Sequence, residues 1–406
     1  MNTSKEKQSG QSSFRRLLSS DSHIIEPPDL WATRVDAKYR DIVPRVHRMD
    51  GSDWWVYKGQ RIGSVSGRKR RSGGVSTGGS VDSKGAVLTH SIFEDVTPAA
   101  YTPDLYLQEN LRDGVVGAVI RPTQGITNYC IDEPELFSHI CRAYNDWIVE
   151  FCSTSPANLK AVAMLNNYNP ADAIKELERA KKNGMVGGII SVYPGEQCNY
   201  GLPVYDELWC AAASNHFPLS LHVLTNAGGP YGVNFTKVNY SLRANADYWV
   251  RLSLSDLIFS GVFERYPDLQ VESSEHEASW LPYFSWQLDW IYTHRILKRR
   301  QNKSISLPPS HYLKNNVHIS FIYDSLAIEL REKIGPLRMM WGSDYPHEQS
   351  SHPNSLRLVS ELFGDVPIAE AEDMTLNNTA RLYGFDLHHP QLQPCGTLTP
   401  EEVLML

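Results

Sequence analysis

Eight short apolar runs recur along the chain, and each is followed by polar or glycine-rich residues and then by a helical pattern. This order is typical of βα units, in which a buried strand is followed by a helix that packs on the sheet. The runs are RRLLSSDSH, VVGAVIRP, LKAVAMLN, VGGIISVY, FPLSLHV, LQVESSEHE, VHISFIY and LRMMWGSDYPH, which begin at Arg15, Val115, Leu159, Val186, Phe217, Leu269, Val317 and Leu337. We therefore predict an α/β protein with eight strands.

One connecting segment shows the helical pattern in detail. The segment NPADAIKELERAKKNG places Pro170 in the first turn of a predicted helix, Ala173 and Leu177 on one apolar stripe, and Gly184 at the end. Eight strands that alternate with helices favour a (β/α)8 TIM barrel over a doubly wound sheet, which usually has fewer strands and a glycine-rich phosphate turn. The sequence contains no GxGxxG motif and no P-loop.

The alternation breaks between about residues 39 and 101. In this region DWWVYKGQRIG predicts a β-hairpin, and the SVSGRKRRSGGVSTGGS stretch after it is rich in Gly and Ser. We predict a small β insertion on the loop that follows the first strand. The domain organisation is then a disordered N-terminal lead over 1–16, the barrel over 17–387 and a C-terminal tail over 388–406.

The charge balance argues against a nucleic-acid partner, because 406 residues carry a formal net charge of -7. The six cysteines show no CxxC spacing, which predicts reduced thiols. The polar N-terminus lacks the apolar core of a signal peptide, and no apolar run is long enough to span a bilayer. We expect a cytoplasmic protein that acts on a small molecule and has no membrane partner, and we leave a homo-oligomer open.

Metal-binding residue types follow the predicted strands at the ends where a barrel carries its active site. The first run ends in Asp21-Ser22-His23, and residues two apart in a strand point to the same side. Further candidates after the first, fifth, sixth and eighth strands are Glu26, His222, Glu275, His276, Glu277, Asp344 and His347. So many imidazoles and carboxylates would be costly to bury without a cation, which predicts a metal site.

Oxygen and nitrogen ligands without cysteine suit zinc, manganese or iron. A mononuclear hydrolytic site needs three or four protein ligands and an open position for water. That need is already filled by Asp21, His23, His222 and Asp344. The remaining candidates form a surplus, which predicts a second metal.

Several of the surplus residues have a second interpretation. Glu26 precedes a rigid Pro-Pro turn, so it either binds a metal or braces its loop. In an extended segment Glu275 and Glu277 share a face while His276 points away, but a kink would turn His276 inward. His347, the last residue of the motif Asp-Tyr-Pro-His, is either a ligand or a support for Asp344.

With these residues identified, the chain resembles the amidohydrolase-related family of metal-dependent TIM barrels that includes the aminocarboxymuconate semialdehyde decarboxylases. The resemblance runs from Ser20 to about Phe385 and rests on DSHIIEPPDLW, YDELWCAAASNHFPLSLHV, WGSDYPHEQSSHP and NNTARLYGF. Typical decarboxylases and hydrolases of the family begin with His-x-His or Glu-x-His and carry a later His for acid-base chemistry. Here the first position is Asp21, and ESSEHEASWLP is similar to an offshoot in which Glu275 precedes Trp280-Leu-Pro.

The resemblance to this offshoot implies a dinuclear Fe/Fe or Mn/Fe monooxygenase, with dioxygen as co-substrate and an electron donor as a further partner. Its substrate would be a small aromatic, terpenoid or coenzyme A-linked acid. The implied catalytic residues are Glu275, Asp344 and His347. One metal would be held by Asp21, His23, His222 and Asp344, and the second by Glu275 with some of Glu26, His276, Glu277 and His347.

Residue types alone do not separate this chemistry from a second one. A single zinc or manganese ion on the same barrel would serve a hydrolase or a non-oxidative decarboxylase, because one metal can activate a bound water or polarise a substrate. A barrel without catalysis is disfavoured, since burying so many ionisable groups would cost several kcal/mol.

Overall fold

The computed structural model describes residues 14–65, 92–226, 240–297, 304–347 and 349–393, together with the backbone of four two-residue strands between 67 and 88. The strands in chain order are β1 (Leu17–Ile24), β2 (Arg45–Met49), β3 (Ser52–Tyr57), β4 (Gln60–Ser64), β5 (Gly67–Arg68), β6 (Val75–Ser76), β7 (Ser80–Val81), β8 (Val87–Leu88), β9 (Val115–Pro122), β10 (Leu159–Met164), β11 (Gly187–Ser191), β12 (Leu219–His222), β13 (Val271–Ser274), β14 (Val317–Phe321) and β15 (Met339–Trp341).

Eight of these strands form one parallel sheet in the order β1, β9, β10, β11, β12, β13, β14, β15. Hydrogen bonds join the two outer strands of the sheet. The Asp344 N–H donates to the Asp21 carbonyl at 2.9 Å, and the Ser20 hydroxyl donates to the Trp341 carbonyl at 3.0 Å. The sheet is therefore a nearly closed barrel, which confirms the predicted (β/α)8 TIM barrel, and each of the eight predicted runs overlaps one barrel strand.

The helices lie in the segments that follow the barrel strands. They are α1 (Leu30–Arg34), α2 (Pro103–Arg112), α3 (Gln124–Thr127), α4 (Pro134–Cys152), α5 (Pro170–Lys182), α6 (Asp206–Ser214), α7 (Tyr240–Arg243), α8 (Asp247–Phe259), α9 (Val262–Arg265), α10 (Leu281–Ile291), α11 (Pro309–Asn316), α12 (Ser325–Glu329), α13 (Arg331–Ile334), α14 (Ser355–Leu362), α15 (Ile368–Glu372) and α16 (Asn378–Tyr383).

Helix α5 is the connecting helix that the sequence pattern predicts. It begins at Pro170, and the Asn169 side chain caps it by accepting a hydrogen bond from the Asp172 N–H. Its apolar stripe, which includes Leu177, is buried. Gly184 follows the helix with φ of 85°, a left-handed conformation that glycine adopts without steric cost.

The insertion after the first barrel strand is present. Strands β2, β3 and β4 form an antiparallel sheet, and Lys58 and Gly59 connect β3 to β4 with φ of 47° and 75°. Two successive positive φ angles are typical of the type I′ hairpin turn. Trp55 of this sheet contacts Trp31 at 4.9 Å between ring centroids, so the insertion packs on α1.

The limits of the lead and the tail stay predictions. Residues 1–13 of the lead and 394–406 of the tail lie outside the described residues, and β1 begins at Leu17. Within the part of the chain that the structure describes, no helix combines the length and the apolar character that crossing a membrane requires.

Candidate metal centre

Side chains from the ends of four barrel strands meet at the C-terminal mouth of the barrel. We call them the mouth cluster, and they are Asp21, His23, His222, Glu275, Asp344 and His347. The cluster consists of two groups that share His23, and within each group one ligand atom per residue lies within 4.8 Å of the others. Six of the nine residues that the sequence nominates as possible metal ligands therefore meet at one place.

The distances within the cluster suit a shared cation. His23 Nε2 lies 3.5 Å from Asp344 Oδ1. His222 Nε2 lies 3.6 Å from Asp21 Oδ2 and 3.7 Å from Glu275 Oε2. Ligand atoms that surround one cation at about 2.0–2.2 Å are themselves roughly 3–4 Å apart. The described atoms are thus spaced as ligands rather than as hydrogen-bonded partners.

The two central imidazoles present their lone pairs to the cluster. His23 Nδ1–H donates to the Pro122 carbonyl at 2.8 Å, and His222 Nδ1–H donates to the Val223 carbonyl at 3.0 Å. In each neutral ring Nε2 is then the unprotonated nitrogen. Both Nε2 atoms and Asp21 Oδ2 are buried without a hydrogen-bond partner among the described residues. Because such atoms are costly to leave unpaired, the donor set fits a bound cation.

The protonation states of Asp21 and His23 match what a cation needs. Burial alone would raise the pKa of Asp21, but Arg121 and His222 outweigh it and hold that pKa well below its usual range. Burial and the neighbouring His347 lower the pKa of His23 to about 3. At neutral pH the site therefore offers an ionised carboxylate and a neutral imidazole, the forms that bind metals. At His222 burial lowers the pKa, but Asp21 and Glu275 outweigh it and raise that pKa, so a cation would have to displace a proton there.

His347 is hydrogen-bonded on both ring nitrogens. Nδ1 lies 2.7 Å from Asp344 Oδ1, and Nε2 lies 2.9 Å from the Thr123 hydroxyl. Burial lowers the pKa of His347, but Asp344 and Glu275 outweigh it and raise the pKa to about 10. This geometry corresponds to the supporting role toward Asp344. Thr123 was not predicted, because a threonine after an apolar run carries no sequence signal of its own.

Two nominated ligands, Glu26 and His276, contribute no atom to the mouth cluster. The Glu26 carboxylate accepts hydrogen bonds from the backbone N–H groups of Gln124 and Gly125, both at 2.9 Å. This geometry corresponds to the bracing role. The His276 ring is buried and hydrogen-bonds through Nδ1 to the Ser273 hydroxyl at 3.0 Å.

The segment after β13 is not extended, so its side chains do not alternate between two faces as they would in a strand. Glu275 and Glu277 have φ of 59° and 54°, in the left-handed region that non-glycine residues rarely adopt. The Glu277 carboxylate accepts a hydrogen bond from the Ile322 N–H at 3.2 Å and does not join the cluster. Of the two alternatives, an extended segment or a kink, the structure has the kink, because the backbone turns at both glutamates, but His276 does not join the cluster.

A buried ion pair lies beside the cluster inside the barrel. We call Arg121 and Glu272 the floor pair. The Arg121 guanidinium donates to Glu272, to Asp21 Oδ1 at 3.1 Å, and to the Tyr383 hydroxyl at 3.1 Å. Sequence reasoning missed Arg121 because it lies near the end of an apolar strand and matches no metal-ligand type.

Comparisons with known proteins identify relatives of this chain. The family model described as amidohydrolase matches residues 126–385. The γ-resorcylate decarboxylase of Rhodococcus jostii (strain RHA1) is 24% identical over 286 residues, which cover 63% of this chain and 80% of that protein.

Solved structures share the fold. An amidohydrolase from Mycobacterium avium subsp. paratuberculosis K-10 superposes with a TM-score of 0.72 at 19% identity, covering 92% of this chain and 99% of that one. A dihydroxybenzoic acid decarboxylase from Polaromonas sp. JS666, with bound manganese and the inhibitor 2-nitroresorcinol, superposes with a TM-score of 0.60 at 15% identity, covering 93% and 99%.

These relatives overturn the expectation of an iron-containing, dinuclear monooxygenase that uses dioxygen. Two of them are decarboxylases, and one of these holds manganese. The surplus of carboxylates that predicted a second metal has a structural use instead, because Glu26 and Glu277 accept hydrogen bonds from loop backbone. Because an electron donor was expected only for the oxidative reaction, that expectation is dropped as well.

The coarser part of the resemblance is confirmed. The matching family model covers well over half of the chain, and its relatives share the barrel over nine-tenths of the length. The chain belongs to the amidohydrolase family.

Proposed function

We propose that this protein is a metal-dependent, non-oxidative decarboxylase of an aromatic carboxylic acid that carries a ring hydroxyl. The observation that carries the proposal is the convergence of three buried, unpartnered atoms, namely Asp21 Oδ2, His23 Nε2 and His222 Nε2. The relatives supply the reaction class, since they include decarboxylases of hydroxylated benzoic acids.

The cation would be held by Asp21, His23, His222 and Asp344. Manganese is the first candidate, because carboxylate and imidazole ligands suit it and the Polaromonas relative holds it. When bound, the cation supplies positive charge that orients an anionic substrate and stabilises negative charge on its oxygens.

Glu275, Asp344 and His347 are the proposed catalytic residues. Decarboxylation requires a proton on the ring carbon that bears the carboxylate; the bond to that carboxylate then breaks, its electron pair returns to the ring, and CO2 leaves. The hydrogen-bonded pair of Asp344 and His347, 2.7 Å apart, would hold the proton for this step. This pair would act as a proton carrier beside the proposed cation site.

Glu275 is assigned the contact with the ring hydroxyl. Its side chain is 15% exposed, whereas those of Asp21 and Asp344 are 1% and 3% exposed, so it is the cluster carboxylate most open to an incoming substrate. As a carboxylate it would accept the hydroxyl proton and fix the orientation of the ring.

The test is decarboxylation in the absence of oxygen. Protein stripped with a chelator and reloaded with Mn²⁺ is incubated under argon with 2,6-dihydroxybenzoate and with other hydroxylated benzoic acids. We expect equal amounts of CO2 and of the decarboxylated phenol, at the same rate under argon and in air. Chelated protein without added metal is the control. Oxygen consumption without CO2 release, with every acid of the panel, would overturn the proposal.

A further inference from the structure

We propose that Arg121 is a positioning residue that limits Asp21 to one ligand atom, because it occupies Oδ1 and leaves Oδ2 for the cation. The inference rests on the metal site proposed above and specifies how the chain shapes it.

Arg121 is fully buried in β9, the strand that pairs with β1. One of its terminal nitrogens, Nη1, donates both to Asp21 Oδ1 at 3.1 Å and to the Ser20 carbonyl. The guanidinium therefore contacts β1 at two successive residues. A planar, rigid donor held in this way fixes the plane of the carboxylate that it contacts.

The two oxygens of Asp21 consequently have different surroundings. Oδ1 accepts the bond from Arg121, while Oδ2 has no hydrogen-bond partner among the described residues and lies 3.6 Å from His222 Nε2. A carboxylate that rotates freely can bind a cation through either oxygen or through both. The bond to Arg121 selects binding through Oδ2 alone.

The positive charge of Arg121 is balanced by Glu272, so Arg121 does not repel the proposed cation as an isolated charge would. Its other terminal nitrogen, Nη2, donates to Glu272, and the same nitrogen donates to the Ser220 and Tyr383 hydroxyls at 3.1 Å. The floor pair is thus neutral as a unit, and the bond from Arg121 adds a fixed orientation to its electrostatic effect on Asp21. Replacing both charges together should preserve the net charge of the floor pair while removing the bonds from Arg121 to Asp21 and to the Ser20 carbonyl.

The experiment is a Mn²⁺ titration of the chelated full chain, with Co²⁺ absorption spectra as a second measurement that does not depend on activity. The main variant is the double substitution Arg121→Met with Glu272→Gln. We expect Mn²⁺ affinity to fall about 10- to 100-fold, the range for partners that orient a metal ligand. We also expect the Co²⁺ spectrum to change, because Asp21 is free to reorient.

Tyr383→Phe is the matched control. It removes hydroxyl contacts to the floor pair but leaves the bond from Arg121 to Asp21, so its Mn²⁺ affinity should equal that of the wild type. A folded double variant with unchanged Mn²⁺ affinity and unchanged Co²⁺ spectrum would overturn the role of Arg121. If the double variant does not fold, Arg121→Lys decides, since it keeps the charge but not the planar fork: an altered Co²⁺ spectrum supports the role and an unchanged one overturns it.

The two proposals fail in different ways. A wild-type chain that takes up no Mn²⁺ or Co²⁺ would overturn the metal site and with it the proposed function. A wild-type chain that binds both ions, with folded variants that bind them identically, would overturn only the positioning role of Arg121.

Discussion

The barrel buries two neighbouring sets of charged groups, and they are neutralised in different ways. The floor pair contains its own cation, because Arg121 donates directly to Glu272. The mouth cluster consists of carboxylates and imidazoles, and the inward atoms of His23 and His222 have no partner among the described residues. Burial of charge is therefore not what marks the site. The site is marked instead by converging lone pairs that have no donor among the described residues, namely Asp21 Oδ2 and the Nε2 atoms of His23 and His222, because a bound cation would satisfy all three.

The largest effect is expected when the mouth cluster loses a ligand. His222→Ala removes one of the two unpartnered imidazole nitrogens of the mouth cluster, so we expect a loss of metal affinity beyond the roughly 10- to 100-fold that supporting residues cost. Metal analysis and CO2 release measure it. His318→Gln is the matched control, since His318 is buried outside the cluster and should not affect the metal. Equal metal content in the wild type and His222→Ala would remove His222 from the site.

A change at Glu275 separates catalysis from metal binding. Glu275→Gln keeps the shape of the side chain but removes the proton acceptor, so we expect turnover to fall about 10²- to 10⁴-fold while Mn²⁺ stays bound. Turnover number and metal content are measured on the same preparation. If this variant loses the metal as well, Glu275 is a ligand rather than the group that contacts the substrate.

Gly342→Ala tests how closely the mouth is packed. A Cβ at Gly342 would lie 2.8 Å from Asp21 Cβ and 3.0 Å from Asp21 N, so the backbone that carries the ligand must move. We expect a loss of about 1–3 kcal/mol in the free energy of unfolding, typical of overpacking, together with weaker Mn²⁺ binding. Urea unfolding with and without Mn²⁺ measures both.

The matched control for this change is Gly364→Ala, where the nearest atom to a new Cβ would lie 3.4 Å away in ordinary contact. It should bind Mn²⁺ like the wild type. If Gly342→Ala behaves like this control, the contact between the two chain segments does not constrain Asp21.

The smallest effect concerns a histidine that faces arginine rather than carboxylate. Burial and Arg338 lower the pKa of His318 from 6.5 to about 3. In the unfolded chain His318 binds a proton as the pH falls through about 6.5, whereas in the folded chain it stays neutral until about pH 3. Stability is therefore lost as the pH falls from about 6.5 toward 3. At about pH 5 the loss amounts to roughly 2 kcal/mol.

Urea unfolding of chelated protein at neutral pH and at about pH 5 measures this loss. His318→Gln should lose correspondingly less stability than the wild type over the same interval, because glutamine does not titrate. Equal losses in both proteins would show that His318 is not the titrating group.

The fold was predictable because its signal is local. Each barrel strand is a short apolar run that precedes a helix, and the parity of a strand places Asp21 and His23 on one side. Once a barrel is inferred, its geometry dictates that the residues after the fifth and eighth strands meet those after the first. The sequence thus nominates all six residues of the mouth cluster.

Contacts between distant segments could not be predicted. The use of Glu26 depends on the backbone N–H groups of Gln124 and Gly125, which lie far away in the chain. The positive φ angles of Glu275 and Glu277 interrupt the alternation of side chains along the strand just where it was used to predict which residues face the metal site. The reaction could not be predicted either, because carboxylates and imidazoles serve oxidative and non-oxidative metal chemistry alike.

The central claim is that one divalent cation takes the free lone pairs of Asp21, His23 and His222. The most direct measurement is a titration of the chelated chain with Mn²⁺, in which the signal of the free ion is followed by electron paramagnetic resonance. The account predicts one Mn²⁺ bound per chain in the wild type and none in His222→Ala. A wild-type chain that leaves all added Mn²⁺ free, or a His222→Ala variant that binds it as tightly as the wild type, would contradict the account.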